Sequence, residues 1–386
     1  MLRNLVVPAA FIVTALMTGC QTTLDNNYKP STPVVWNQDQ PESKTPPATK
    51  TTVEPIPTKH PENIITIKEQ IIQTPIHRNG RLILGLEEGV ELPDLNLQMT
   101  AKLDTGASNS SVDARNIQLF ERDSKKWVKF NLYRTSKGTV PLELPLKTTI
   151  KIKRPGLKAI ERPVVSMTIV IGELTQQVMV TLTDREKYQY PLLIGRNFIQ
   201  DLAIIDVNKK NIAKKSLVES RLVKVVASKG KKSFTKTINK PVSVDGLKTL
   251  GAIEPITFPD SNITLKARID TGAKTSSLDA RDMEIFQKNK KDWVRFNIPY
   301  QGKIKTMEQP ITRFLLIKRH DQESERRPVI TINTKIGELV QPAQFSLRNR
   351  EGYKYPVLIG ERFLKDAAIV DVSQKYTSGA AQRGHE

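Results

Sequence analysis

One stretch of this chain is written twice, and that duplication limits the possible folds more than any other feature. Residues 102–115 read KLDTGASNSSVDAR and residues 268–281 read RIDTGAKTSSLDAR, which places Asp104 and Asp270 166 residues apart. Upstream, Gly85 matches Gly251 and Pro93-Asp94 matches Pro259-Asp260 at the same offset. Further on the offset is 165: Arg162-Pro163-Val164 matches Arg327-Pro328-Val329, Ile194-Gly195 matches Ile359-Gly360, and Asp206-Val207 matches Asp371-Val372. A spacing held to within one residue from Gly85 to Val207 marks a duplicated domain. The two copies span 78–208 and 244–376, joined by a basic linker at 209–243 and followed by a tail at 377–386.

Within each copy the hydrophobic pattern has the period of strands. Thr148–Lys153, Val164–Ile169 and Val178–Leu182 alternate apolar with polar, and Gly or Pro punctuates the runs, as in small barrels. One short helix is predicted after each Ile-Gly, at Asn197–Asp201 and Arg362–Asp366, followed by the apolar strands Ala203–Val207 and Ala367–Val372. The expectation is an all-β chain of two barrel lobes in tandem, each with one short helix. Hydrophobic residues make up 38% of the chain, low for a fully packed protein. Residues 20–77, rich in Pro and Thr, account for part of this and are expected to form a disordered tether.

The first residues have a different character. Arg3 precedes an apolar run, Leu5 to Met17, that ends in Thr18-Gly19-Cys20. This run is shorter than the ~20 residues that a membrane-spanning helix needs. Cys20 is the only cysteine, so no intrachain disulfide can form. The segment resembles a bacterial lipobox. That resemblance implies a signal peptide at 1–19, cleavage before Cys20, and acylation of Cys20. Gln21, where an Asp would imply inner-membrane retention, points to the outer membrane facing the periplasm. Multiple acyl chains, at ~0.8 kcal/mol per buried methylene, would hold the protein on a bilayer.

In each repeat an apolar strand delivers an Asp into a tight turn: Leu103-Asp104-Thr105-Gly106-Ala107, then Ile269-Asp270-Thr271-Gly272-Ala273. A Thr hydroxyl can lock such a turn, and Gly lets another group pass close to the backbone. Leu193-Ile194-Gly195 and Leu358-Ile359-Gly360 follow far downstream, at matching separations. If the two loops meet, their carboxyls form an acid–base pair; if they do not, each Asp only caps its own turn. The loop and the later apolar-Gly-helix element together resemble an aspartic protease lobe, closest to the retropepsins. The copies as wholes resemble a bacterial retropepsin-like family often labelled ATP-dependent zinc proteases. The segments that carry this are AKLDTGASNSSVDAR, ERPVV and TLTDREKYQYPLLIGRNFI, then ARIDTGAKTSSLDAR, RRPVI and SLRNREGYKYPVLIGERFL.

The resemblance implies an aspartic endopeptidase in which Asp104 and Asp270 activate water. Thr105, Gly106, Thr271, Gly272, Gly195 and Gly360 would shape and support the loops. Hairpins at Phe130–Leu142 and Phe296–Met307 are candidates for flaps over the cleft. By family association, ATP-grasp ligase-like and transglutaminase-like proteins are candidate partners. The alternative is an inactive lobe pair that binds a peptide or envelope polymer. The zinc and ATP in the family label find no residues to support them. The four histidines, His60, His77, His320 and His385, form no i, i+4 pair, and no phosphate-binding Gly-rich loop is legible. The expectation is a site with no metal and no cofactor.

The lobes are not identical. Thr183-Asp184-Arg185 becomes Arg348-Asn349-Arg350, which reads as a second lobe that has lost a supporting ion pair or contributes mainly its Asp. Arg196 follows Gly195, but Glu361 follows Gly360. Asp113 and Asp279 read as salt-bridge partners of Arg115 and Arg281. The net charge of +20 is spread over both lobes and the linker. With no nucleic-acid motif legible, nucleic acid is not expected, and the charge suits an acidic peptide or protein substrate. The lobes are expected to pair within one chain or between two chains of a homodimer.

Overall fold

A computed structural model describes residues 64–134, 138–154, 157–226, 235–319 and 322–379. The signal segment, Cys20 and residues 21–63 of the tether lie outside the described residues. The described residues are almost entirely β-structure, with two four-residue α-helices, Arg196–Ile199 and Glu361–Leu364, one in each repeat. Both helices start one residue earlier than expected. Gly195 and Gly360 hold extended backbone and act as the N-caps, so the helix begins directly after them.

The lobes repeat one plan. In lobe 1, Arg81–Leu92 runs antiparallel to Leu97–Leu103 through a turn at Pro93–Leu95 that ends with Asn96 in the left-handed conformation. Proline opens the turn with its φ already set, and Asn tolerates the positive φ that closes it. Lobe 2 uses Pro259–Ser261 and Asn262 in the same way. Leu97–Leu103 buries Leu97, Met99, Ala101 and Leu103 in strict alternation and then enters the Asp104 loop. Ser110–Arg122 leaves that loop. The short strand Leu192–Ile194 fits between the two limbs, parallel to one (Ile194 beside Leu103) and antiparallel to the other (Leu193 beside Ser111). In lobe 2, Val357–Ile359 sits in the same way between Ile263–Ile269 and Ser276–Asp279.

The two lobes share a sheet. Arg81–Leu92 pairs with Ala203–Lys210, which meets Ala368–Asp371 of the second lobe at Ile205 and Val370, and Lys248–Gly251 completes the row. Residues 82–84, 203–205 and 368–370 within them are unbroken apolar runs, buried because both faces are covered. Leu84, Ile205, Leu250 and Val370 face the main core, and Ile83, Ile204 and Ile369 face a second cluster closed by Ile212 and Val242.

Three parts of the expected domain layout change. Residues 64–74, assigned to the tether, form a strand that pairs antiparallel with Ser216–Val226 and parallel with Thr235–Pro241, both from the segment read as a plain linker. The isoleucines of IITIKEQIIQT and the valines of the linker strand supply the β-branched side chains for this sheet. The charged and polar residues among them hid the pattern. The linker's first residues are also fastened to lobe 1: buried Glu88 accepts the N–H groups of Gly85, Ile212 and Ala213. Lobe 2 does the same with residues assigned to the tail, since buried Glu254 accepts N–H and O–H groups from Thr377 and Ser378. A buried carboxylate must find donors, and these segments provide them.

Candidate active site

Each Asp is held first by its own loop. Asp104 Oδ1 accepts the N–H groups of Gly106 (2.8 Å) and Ala107 (2.9 Å), and Asp270 Oδ1 accepts that of Ala273 (3.0 Å). The chain behind is tied to the apolar-Gly strand, with Asp104 N–H on Ile194 O and Asp270 N–H on Ile359 O, both at 2.9 Å.

The threonines join the loops across the lobe boundary. Thr105 N–H donates to Thr271 Oγ1 (3.0 Å), and Thr271 N–H donates to Thr105 Oγ1 (2.9 Å). The Thr105 hydroxyl donates to Ile269 O (3.0 Å), and the Thr271 hydroxyl donates to Leu103 O (2.8 Å). Both threonines are buried, so every donor and acceptor in this four-bond lattice is matched away from water.

The carboxyls cross over as well. A Cβ on Gly106 would lie 2.1 Å from Asp270 Oδ2, and one on Gly272 would lie 2.2 Å from Asp104 Cγ. Each carboxyl therefore rests on the other loop's glycine, and no larger residue fits at either position. Gly195 and Gly360 face a similar limit from behind: a Cβ there would meet Asn109 C at 2.6 Å and Ala273 O at 2.6 Å. This closeness lets the helix starts brace the loops, with Arg196 N–H on Ala107 O and Glu361 N–H on Ala273 O.

Asp104 is pushed up to about 6, first by burial and then by the negative charge of Asp270; the Ala107 and Gly106 N–H groups and Lys102 oppose the shift.

Positive charge surrounds the pair. Arg268 Nη2 donates to Asp270 Oδ2 at 2.9 Å. Lys102, its counterpart in lobe 1, crosses instead to Gly272 O at 2.7 Å. Arg196 donates to the carbonyls of Thr105 (2.8 Å) and Gly106 (2.9 Å) and to Ser108 Oγ. Burial, and next the charge of Arg268, lowers Arg196, and the same two causes bring Arg350 down to about 10. Lys102 and Arg268 were not singled out from the sequence. Their signal was present: each stands two residues before its Asp, and in a strand residues i and i+2 share a face.

The outer support is nearly two-fold symmetric. Asp113 accepts Arg185 N–H (2.8 Å) and pairs with Arg115 (3.1 Å); Asp279 accepts Arg350 N–H (2.6 Å) and pairs with Arg281 (3.4 Å). Buried Arg185 and Arg350 donate Nε to Tyr190 O and Tyr355 O, each at 3.1 Å. The expected loss of an ion pair at Asn349 is corrected. Asp184 and Asn349 both use a side-chain oxygen to accept a backbone N–H two residues on, at 2.8 Å, and an amide does this as well as a carboxylate. The helix starts do differ: Glu361 takes Lys274 Nζ at 3.1 Å and makes no contact like that of Arg196. The flap candidates are true hairpins, with Phe130 opposite Leu142 and Phe296 opposite Met307. The second turns at Gln301-Gly302, both with positive φ, while residues 135–137 at the first tip lie outside the described residues. Among the described residues, no group of three or more His, Cys, Asp or Glu is placed to hold a metal ion.

Two β-lobes, each with an Asp-Thr-Gly loop clasped by a Leu-Ile-Gly strand and a following helix, define the retropepsin-like class. Comparison with known families is more specific. The family model described as "Retropepsin-like aspartic endopeptidase RimB" matches residues 83–216 and again 249–380, and this chain belongs to the RimB-like family. Among curated proteins it is similar to a probable alpha-L-glutamate ligase of Desulfotalea psychrophila, 30% identical over 141 residues, which is 35% of this chain and 30% of that protein. A protein of the same name from Shewanella pealeana is 30% identical over 135 residues, 34% of this chain and 30% of its own length. The chain thus spans less than a third of these relatives. Among solved structures, a Legionella pneumophila protein of unknown function is 35% identical, covering 36% of this chain and 100% of that one, with a TM-score of 0.31.

Proposed function

We propose that this chain is an aspartic endopeptidase whose water-activating pair is Asp104 and Asp270, acting on glutamate-rich peptides in the cell envelope. The observation that carries the reading is the mutual placement of the carboxyls, each over the other loop's glycine. Two carboxyls so close share one proton. The ionised member takes a proton from water as the oxygen attacks the scissile carbonyl carbon. The protonated member gives its proton to the carbonyl oxygen, forming a gem-diol. Collapse of the gem-diol breaks the C–N bond, the leaving nitrogen is protonated, and no covalent enzyme intermediate forms.

The substrate class follows from charge. Arg196 and Lys102 line the loops, and the chain carries +20 overall. Side-chain carboxylates beside the cleaved bond would find partners there. The glutamate in the name of the curated relatives is compatible with this substrate. On this reading the flaps grip an extended peptide, and acylated Cys20 tethers the lobes to the outer membrane facing the periplasm.

Asp104→Asn and Asp270→Asn test the activity. Purified protein is incubated with glutamate-rich and neutral peptides, and new termini are identified by mass spectrometry. Cleavage of the glutamate-rich peptide by wild type alone is the expected result. An inactive wild type that still binds the peptide would favour a binding module. For the anchor, labelled fatty acid should enter the wild-type protein and not Cys20→Ala, which should leave the membrane fraction.

A further inference from the structure

The two lobes do not treat their carboxyls alike. On a strand, the residue two positions before the Asp shares its face. In lobe 2 this is Arg268, which donates Nη2 to Asp270 Oδ2 at 2.9 Å. In lobe 1 it is Lys102, whose ammonium donates to the carbonyl of Gly272 at 2.7 Å, an oxygen of the opposite loop. Among the described residues, the hydrogen bonds to the Asp104 carboxyl are two, both on Oδ1 and both from uncharged backbone N–H groups. Asp270 has one backbone N–H and one guanidinium. A charge-assisted bond favours the anion roughly twice as strongly as a neutral one does.

We propose that Arg268 is a positioning residue that divides the labour of the pair, holding Asp270 as the anion that takes the proton from water and leaving Asp104 to carry and donate the proton.

Of the remaining charged groups near the pair, Lys102 and Arg185 bear electrostatically on Asp104, but the side-chain hydrogen bonds of Lys102 go to Gly272 O and those of Arg185 to Ser111 Oγ and Tyr190 O, not to a carboxyl of the pair. Arg196 is fastened to the carbonyls of Thr105 and Gly106 and to Ser108 Oγ. Arg185 and Arg350 stand behind the loops, each fixed by its own lobe's tyrosine carbonyl. Tyr190 gives its hydroxyl to Glu87, and Glu361 is paired with Lys274. Among the described residues, Arg268 is the one cation hydrogen-bonded to an oxygen of either loop Asp. The upward displacement of Asp104, caused by burial and then by the Asp270 charge, has the direction this division requires.

The activity arm of the test rests on the endopeptidase reading; the spectroscopic arm does not. Full-length protein carrying 13C-labelled aspartate carboxyls is titrated by NMR, with Asp104→Asn and Asp270→Asn used to assign the two signals. At about pH 5 the wild type should show Asp104 protonated and Asp270 ionised. In Arg268→Met the proton should spread over both carboxyls, moving the Asp104 signal toward its ionised position, and Arg268→Lys should restore most of the difference. Lys102→Met, which removes a charge that touches neither carboxyl, should keep the wild-type order. In the cleavage assay Arg268→Met should lose about tenfold or more in kcat, with a displaced pH profile and KM changed by less than about threefold. Asp104 and Asp270 signals unaffected by Arg268→Met, or a variant that raises KM alone, would overturn the proposal and make Arg268 a substrate contact. An inactive wild type whose signals still follow this order would sink the endopeptidase reading and support the positioning role.

Discussion

Thr105 and Thr271 do in this chain what no single lobe could do alone. Each hydroxyl accepts a backbone N–H from the other loop and donates to a carbonyl of the other strand, so removing one leaves a buried N–H and a buried C=O without partners. Thr271→Val, close in volume, should destabilise the protein by about 1–3 kcal/mol for each group left unsatisfied, measured by urea unfolding. Gly106→Ala should fold poorly or push the loops apart, because its Cβ has no space beside the Asp270 carboxyl. The carboxyl pair also gives stability a pH dependence. Asp104, raised to about 6, holds its proton more tightly in the folded than in the unfolded chain. Its contribution to stability is therefore greatest below the usual carboxyl range near about 4, falls as pH rises to about 6, and is flat beyond. Glu88, raised by burial, adds a change of the same sign. Asp104→Asn should remove its own part of this decline, read as the change in unfolding midpoint between pH 4 and pH 7.

At the scale of elements, the legibility of the sequence followed distance along the chain. Hairpins such as that of Phe130 and Leu142 were readable because alternation and a nearby turn fix them locally. The Asp loops were readable because the motif occurs twice. The strand Ile64–Thr74 was not, since its partners at 216–226 and 235–241 lie about 150 residues away and mix charged and polar residues with the apolar ones. Boundaries erred for a related reason: Glu88 and Glu254 capture linker and tail residues through hydrogen bonds that leave no period in the sequence. Lys102 and Arg268 were hidden inside a motif read for its Asp and Gly alone. If the first strand is an integral element, Ile71→Asp should loosen the three-stranded sheet. Hydrogen exchange should then rise at 216–226 and 235–241 while the Asp104 and Asp270 loops keep their protection.

For the whole molecule, duplication within one chain has a consequence that a symmetric dimer of identical lobes cannot have. The shared sheet, in which Ile205 meets Val370, brings two loops together whose flanking residues are free to differ. Lys102 and Arg268, Arg196 and Glu361 are such differences, arranged around a nearly symmetric frame of Asp113, Arg185, Asp279 and Arg350. The excess positive charge should act over a longer range than these contacts. KM for a glutamate-rich peptide should rise between about 50 mM and 500 mM salt, while KM for a neutral peptide should change little. The most direct test of the central claim is the pH profile of kcat/KM for cleavage of a glutamate-rich peptide by wild type, Asp104→Asn and Asp270→Asn. A single acid–base pair predicts wild-type activity that falls above about pH 6 as Asp104 loses its proton, and a loss of about a hundredfold or more in each variant across the whole profile. Either variant retaining wild-type activity would contradict it.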